Sequence, residues 1–350
     1  TRTICATSTK APDSASSGSR PEGVEMVEKT VDKLRVAGVE ARTAEGRRGW
    51  YLADREGLLG TLFLAPAVIY IVALVGIPFF LAIAFSLSDV TVGNTSLDFV
   101  GLDNFRSVTR TPQFVRALRN SFFFTIGAQI IVIILANVLA VIMSRDFRGK
   151  WLARFLIILP WAAPISLGTI GWLWILDSKF SPIDWVLVQA GLLGPGSIFG
   201  PGRNMLYLSK ENLAIASTIM VHVWRVLPLA TVILMAGMTS IPQDLLDQAE
   251  VDGASFWRTH FQVVLPLVMP IMAIALLFGL IFTFSDMVVA FVLTRGGPVY
   301  YTQVLPLWAW FKGISGGSLS EGAAVALFMF PVLLAVAILI LRSARRQEVT

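Results

Sequence analysis

Two groups of residues in this sequence have types and spacings that could do chemistry. The first is polar side chains embedded in long apolar stretches. Arg225 is the one formal charge between 212 and 240, and Asp286 is the one between 259 and 293. A charge inside such a stretch is costly, so it marks a functional site by default. On a helix, Gly279, Thr283 and Asp286 fall on one face, and His222, Arg225, Val226 and Leu229 form a comparable stripe. Two readings are open. The charged pair could hold a helix bundle together, or these side chains could line a polar cavity. Neighbours of suitable type favour the cavity for Thr283 and Asp286, whereas His222 could equally be a satisfied polar contact. Arg225 could also attract an anionic solute.

The second group is the segment 242–266, "PQDLLDQAEVDGASFWRTHFQVVLP". Pro suits the first turn of a helix and acids favour its N-terminus, so Pro242, Gln243 and Asp244 predict a helix start. Asp244, Asp247 and Glu250 recur at three-residue spacing along it. Gly253 ends or bends that helix, and Ser255 is a candidate N-cap for the next. The second helix carries Phe256, Phe261 and Val264 into Pro266. A structured acidic segment of this length reads as a docking element, against the alternative of a solvated interfacial helix.

Other chemistry is excluded. Cys5 is the single cysteine, so no disulfide or thiolate metal site can form within the chain. The two histidines, His222 and His260, have no metal-ligand spacing, and no phosphate-binding G-x-x-x-x-G-K-[ST] loop is present. No cofactor is expected on this chain. If ATP is used, its site, with Mg, is on a partner.

These residues must be positioned by membrane helices. The chain is 55% hydrophobic and 15% charged, against about 25% charged in soluble domains. Segments 57–88, 121–144, 155–176 and 322–341 contain no Asp, Glu, Lys or Arg, and a span needs roughly 20 residues. With the two singly charged stretches they predict an all-α polytopic membrane protein of six transmembrane helices. With both termini inside, cytoplasmic segments hold 18 Lys and Arg against nine outside, which sets an N-in, C-in topology. The basic balance serves orientation, and no nucleic-acid partner is needed to explain it.

Residues 1–57 read as a cytoplasmic tail, disordered over 1–22, with a weak helical stripe at 23–45. Residues 58–113 read as the first span and an external loop, and 114–345 as a helical core holding the cytoplasmic loop 240–266. Span three is expected at about 155–176 and span five at about 267–293, followed by an external turn and a short apolar piece, "VLPLWAWF" at 304–311. Trp161, Trp172, Trp174, Trp308 and Trp310 are read as an interfacial belt. No internal repeat is evident, which weakens a repeat-built secondary transporter.

"DQAEVDGASFWRTHFQVVLP" at 247–266 resembles the EAA loop of bacterial ABC-importer permeases, in particular the maltose-type carbohydrate-uptake group. The family pattern is roughly E-A-A-x-x-D-G-A, then L-P about a dozen residues on. This chain matches it at Ala249, Asp252, Gly253, Ala254, Leu265 and Pro266, and departs at Asp247 and Gln248. "FVGLDNF" at 99–105, "LPWAAP" at 159–164 and "VLTRGGP" at 292–298 resemble further family motifs in the same order. The resemblance covers about 58–345.

The resemblance implies a type I ABC-importer permease fold in a bacterial inner membrane, without catalysis of its own. Implied partners are a second homologous permease, two ATPase subunits, an extracellular solute-binding protein and membrane lipid. Asp247, Ala249, Glu250, Asp252, Gly253 and Ala254 would form the ATPase-coupling helix, with Asp247 making the charged contact. The family's sugar-contacting positions fall on His222, Arg225, Val226, Leu229, Gly279, Thr283 and Asp286, and on Ile165 beside Ser166. Several of these types differ from the family example, so the solute need not be maltose-like. Rival readings are a permease for glycerol phosphate or another polyol derivative, an ion-coupled secondary transporter with Asp286 as carrier acid, and, weakest, an intramembrane enzyme.

Overall fold

The computed structural model describes Lys33 and residues 56–347. The expectations for 1–22 and for most of 23–45 lie outside the described residues. The chain divides into two units, Thr1–Gly76 and Ile77–Thr350. The first holds α1 (Glu56–Ile71), closed by a π turn at Val72–Gly76. None of its side chains described from 60 onward is buried. Apolar groups as open as Phe63, 79% exposed, need lipid or another chain to cover them.

The second unit starts with α2 (Ile77–Ser86) and a two-stranded ribbon, β1 (Ser88–Asp89) antiparallel to β2 (Asp98–Phe99). Then come α3 (Asp103–Arg110), α4 (Pro112–Ser144), α5 (Lys150–Ala162), α6 (Ile165–Ile175) and α7 (Pro182–Gln189). After α8 (Glu211–Thr239) follow α9 (Gln243–Val251), α10 (Phe256–Thr259), a π turn (His260–Val264) and α11 (Leu265–Phe284). The chain closes with α12 (Val288–Thr294), α13 (Leu305–Trp310), a π turn (Phe311–Ser315) and α14 (Leu319–Gln347).

Among the described residues five helices are long and apolar enough to cross a membrane: Gly60–Ser86, Pro112–Ser144, Glu211–Thr239, Phe256–Phe284 and Leu319–Ala344. Counting α5 and α6 as one broken span makes six. The third span, expected at about 155–176, is broken into two helices that begin at Lys150. α5 and α6 meet at a 99° bend. Pro164 has no N–H to donate and pushes the residue before it out of the helical region; Ala163 is accordingly extended, at φ −71°, ψ 141°.

The fifth span differs in the same way. It begins earlier than expected, because the loop helix runs directly into it as one 29-residue helix, Phe256–Phe284. The π turn ahead of Pro266 absorbs the missing amide, with Leu265 N bonding to His260 O. The span ends at Phe284 rather than continuing to 293, and α12 restarts after a three-residue break. "VLPLWAWF" is largely α13, with Leu305, Leu307 and Trp308 buried. Trp308 is thus a core residue and not part of a belt.

The core lies between α4, α8 and α11. Phe124, Ala128, Val132, Ala136 and Ala140 recur every four residues along α4 and are all buried, packing with Ile219, Val223, Ala230, Leu234 and Met238 of α8. Small residues at that spacing let helix backbones approach closely. α8 meets α11 as tightly: a Cβ added at Gly237 would lie 2.9 Å from Ile271 Cδ1.

Candidate functional site

The polar side chains predicted from the apolar stretches come together where α4, α8 and α11 pack. His222 is fully buried on α8, and Thr283 and Asp286 are 1% and 8% exposed. Asp286 sits in the break after α11 rather than on the continuous helix face expected. Its Oδ1 accepts from Val288 N at 2.7 Å, anchoring the restart of α12. Its Oδ2 lies 2.9 Å from His222 Nδ1 and accepts from Arg225 Nη1 at 3.2 Å. A carboxylate oxygen only accepts here, so His222 carries a proton on Nδ1. That turns Nε2 toward Thr283 Oγ1, 2.9 Å away.

Thr283 is the junction. Its hydroxyl donates to Gly279 O at 2.7 Å and lies 2.9 Å from His222 Nε2. It also accepts from Gln129 Nε2 at 2.6 Å. The result is a continuous polar chain, Gln129–Thr283–His222–Asp286–Arg225, across three apolar helices. Gly279 makes room for it. A Cβ there would collide with the amide oxygen of Gln129 and sit 2.9 Å from its Cδ. Phe124 closes one side, edge-on to His222 at 5.0 Å between ring centroids. The Arg225 side chain remains 24% exposed, so the chain ends at an open surface.

The remaining positions carried over by resemblance are less tightly gathered. Val226 is buried and Leu229 half-buried on α8. Ile165, at the start of α6, packs in a separate apolar cluster with Leu176, Val221, Val289 and Leu293. Its neighbour Ser166 is exposed. Gln129 and its orphaned Oε1 were missed in the sequence. The signal was an uncharged amide inside the charge-free stretch 121–144, invisible to a search for formal charges.

The second predicted group forms a surface. α9 starts directly after Pro242 and ends in a Schellman turn: Ala254 N bonds to Ala249 O and Gly253 N to Glu250 O, both at 2.9 Å. Gly253 takes φ +74°, the left-handed conformation this turn requires. Asp252-Gly253-Ala254 is therefore a helix stop. Ser255 occupies the next N-cap, but its side chain makes no capping bond. Ala249 is buried, while Asp244, Asp247 and Asp252 are exposed around Val251, itself 88% exposed. Asp247 accepts from Gln243 Nε2 at 3.0 Å. Glu250 faces elsewhere, into a cleft shared with Arg145 and Phe256, where the Arg145 guanidinium stacks 4.5 Å from the Phe256 ring.

Residues 130–347 match the family described as binding-protein-dependent transport system inner membrane component. A probable ABC transporter permease protein of Brucella suis is 29% identical over 245 residues, 70% of this chain and 82% of that protein. A trehalose transport system permease protein of Mycobacterium tuberculosis is 28% identical over 310 residues, 87% of this chain and 94% of that protein. Among solved structures, a bacterial ABC transporter involved in the import of the acidic polysaccharide alginate aligns at a TM-score of 0.70 and 20% identity, covering 86% of this chain and 99% of that one. This last likeness shows the type I importer permease fold. With the family match spanning α8, α9 and α11, the chain belongs to the binding-protein-dependent transport system inner membrane components, the permease subunits of ABC importers.

Proposed function

We propose that the chain forms, with a second permease, the translocation pathway for a sugar or sugar-like solute, and that the Gln129–Thr283–His222–Asp286–Arg225 chain lines it. The observation that carries this reading is the buried polar chain itself. Helices that are apolar elsewhere converge on hydroxyl, imidazole, carboxylate and amide groups, the donors and acceptors that recognise hydroxylated solutes. Val226, Leu229 and Gly279 would shape its walls, and Ile165 and Ser166 would border it from α6. Related permeases named for trehalose and for sulfoquinovosyl glycerol transport support a saccharide.

At the other end, α9 is the ATPase-coupling helix of this reading. Asp247 would meet a basic group in an ATPase cleft, with Ala249 and the Asp252-Gly253-Ala254 stop keeping the helix short and rigid. Among the described residues nothing covers Val251, 88% exposed amid three carboxylates, and a docked subunit would cover it. The family implies two such ATPases and a solute-binding protein.

The polyol-phosphate alternative leans on Arg225 as an anion site. Asp286 already neutralises that guanidinium at 3.2 Å, which favours a neutral sugar at this depth. A carrier acid must cycle its proton, whereas both oxygens of Asp286 are engaged.

The test is ATP hydrolysis by the transporter reconstituted in lipid with its partner permease, ATPases and binding protein. Stimulation by a sugar, lost in Asp247→Ala, is expected. Failure of any ATPase to co-purify, with uptake driven by an ion gradient instead, overturns the reading.

A further inference from the structure

The stretch that joins α9 to α11 has one inward anchor. Between Ala249 and Val268 a single residue, His260, is buried, at 6% exposed. Its aromatic neighbours Phe256, Trp257 and Phe261 all stay exposed.

His260 is held twice. Its carbonyl accepts from Leu265 N, the bond that forms the π turn ahead of Pro266. Its ring Nε2 lies 2.9 Å from Asn137 Oδ1 of α4. A carbonyl oxygen only accepts, so Nε2 donates. One residue thus ties the backbone of the joint to a helix of the core, where Ala136 and Ala140 beside Asn137 are fully buried. A hydrogen bond has a preferred length and direction, so it fixes where the ring sits along α4, which apolar contact alone does not. Asn137 Nδ2 is buried without a partner among the described residues, so no second bond from this amide backs up the first. Two turns further along, the Arg145 guanidinium stacks on Phe256 at 4.5 Å, and Phe256 stacks on the His260 ring at 6.3 Å between centroids.

Beside this tie the segment is loosely packed. A cleft of about 560 Å³ is lined by Leu246 and Glu250 of α9, by Val141 of α4, and by Met238 and Ile241 at the end of α8. Walls that do not touch pass on no displacement. A shift of α9 therefore runs through the Gly253 turn into α10, and it meets the core firmly at His260.

We propose that Asn137 and His260 are positioning residues for transport, holding the joint between α9 and α11 at one place on α4 so that the two helices move together. The inference rests on the coupling reading of α9 and adds to it a residue, Asn137, from outside the coupling segment. Without the bond the π turn is free to change its hydrogen-bond pattern, and a displacement of α9 is absorbed there instead of reaching α11.

The test is ATP hydrolysis by the assembled transporter in nanodiscs as its solute-binding protein is titrated in. Asn137→Ala should lower the maximal stimulation about fivefold, the effect of one lost hydrogen bond on an equilibrium. The binding-protein concentration at half stimulation, the unstimulated rate and co-purification of the ATPase should not change. His260→Phe keeps an aromatic ring for the stacking but removes the donor, and should give the same loss. The double variant should lose no more than either single one, because both remove the same bond. Full stimulation in either single variant, or additive losses in the double one, overturns the inference while the importer reading stands. A loss in which the unstimulated rate or the melting temperature falls in proportion also overturns it, since a purely structural contact would behave that way. If the binding protein fails to stimulate the unmodified transporter, the importer reading falls and the inference with it.

Discussion

The buried polar chain and the coupling segment are both built from a few polar groups on short helical stretches, yet they solve opposite problems. At His222, Thr283 and Asp286 almost every donor finds an acceptor within the chain, because no water is available to substitute. At Asp244, Asp247, Val251 and Asp252 the side chains are turned outward, and apart from the Gln243–Asp247 bond the hydrogen bonds described here end the helix at Gly253. The first region is bonded within the fold and opens only at Arg225. On the proposed reading, the second is finished by a docked ATPase.

Substitutions can break or sharpen that contrast. The largest effect is expected at Asp286. Asp286→Ala leaves Arg225 and His222 without their shared acceptor, and breaking a buried ion pair from one side costs about 3–5 kcal/mol. Arg225 is partly exposed, so the lower end is expected, read as a reduced melting temperature of the permease in lipid and loss of uptake. An unchanged melting temperature would show that the polar chain is not a structural unit.

Next is Gly279→Ala. Its methyl would displace the Gln129 amide, at about 1–3 kcal/mol, the usual cost of overpacking. Combining it with Gln129→Ala frees the space, so the double variant should be more stable than Gly279→Ala alone. Additive losses would mean that the two helices do not meet as described.

The coupling segment should respond in the reverse manner. Asp247→Ala should leave thermal stability within about 0.5 kcal/mol while weakening co-purification of the ATPase about tenfold, as expected for a lost charge-assisted hydrogen bond. A stability loss without a change in association would erase the distinction between the regions. Smallest is Gly253→Ala, which strains the left-handed turn by about 1 kcal/mol. Its signature is a modest fall in coupling efficiency with α8 and α11 unaffected, seen as unchanged solute binding and lower ATP-dependent uptake.

The sequence made the membrane helices legible because charge-free stretches of span length have few other uses. It also exposed His222, Thr283 and Asp286, since a charge in such a stretch needs company and the helical spacing says where to look. What it hid follows from the same rule. Gln129 carries no charge and did not stand out. The break after Phe284 was invisible because "SDM" interrupts no apolar pattern strongly enough to announce a helix end. The 99° bend between α5 and α6 was signalled by Pro164, but the tolerance of membrane helices for proline gave no angle. In the loop, Pro242 and Gly253 marked both ends of α9 correctly, because each acts through backbone geometry that does not depend on tertiary packing.

The unbroken helix from Phe256 to Phe284 has a mechanical meaning. At 1.5 Å per residue it is a rod of about 43 Å. One end abuts the turn that stops the coupling helix, and the other ends two residues short of Asp286. A rod pivoting near its middle exchanges a push at one end for an opposite swing at the other, with no relay of intermediate contacts. The π turn at His260–Val264 is the irregular joint along it, and on the proposed coupling reading the stiffness of that joint would set how much of a stroke applied outside the membrane arrives at the polar chain within it.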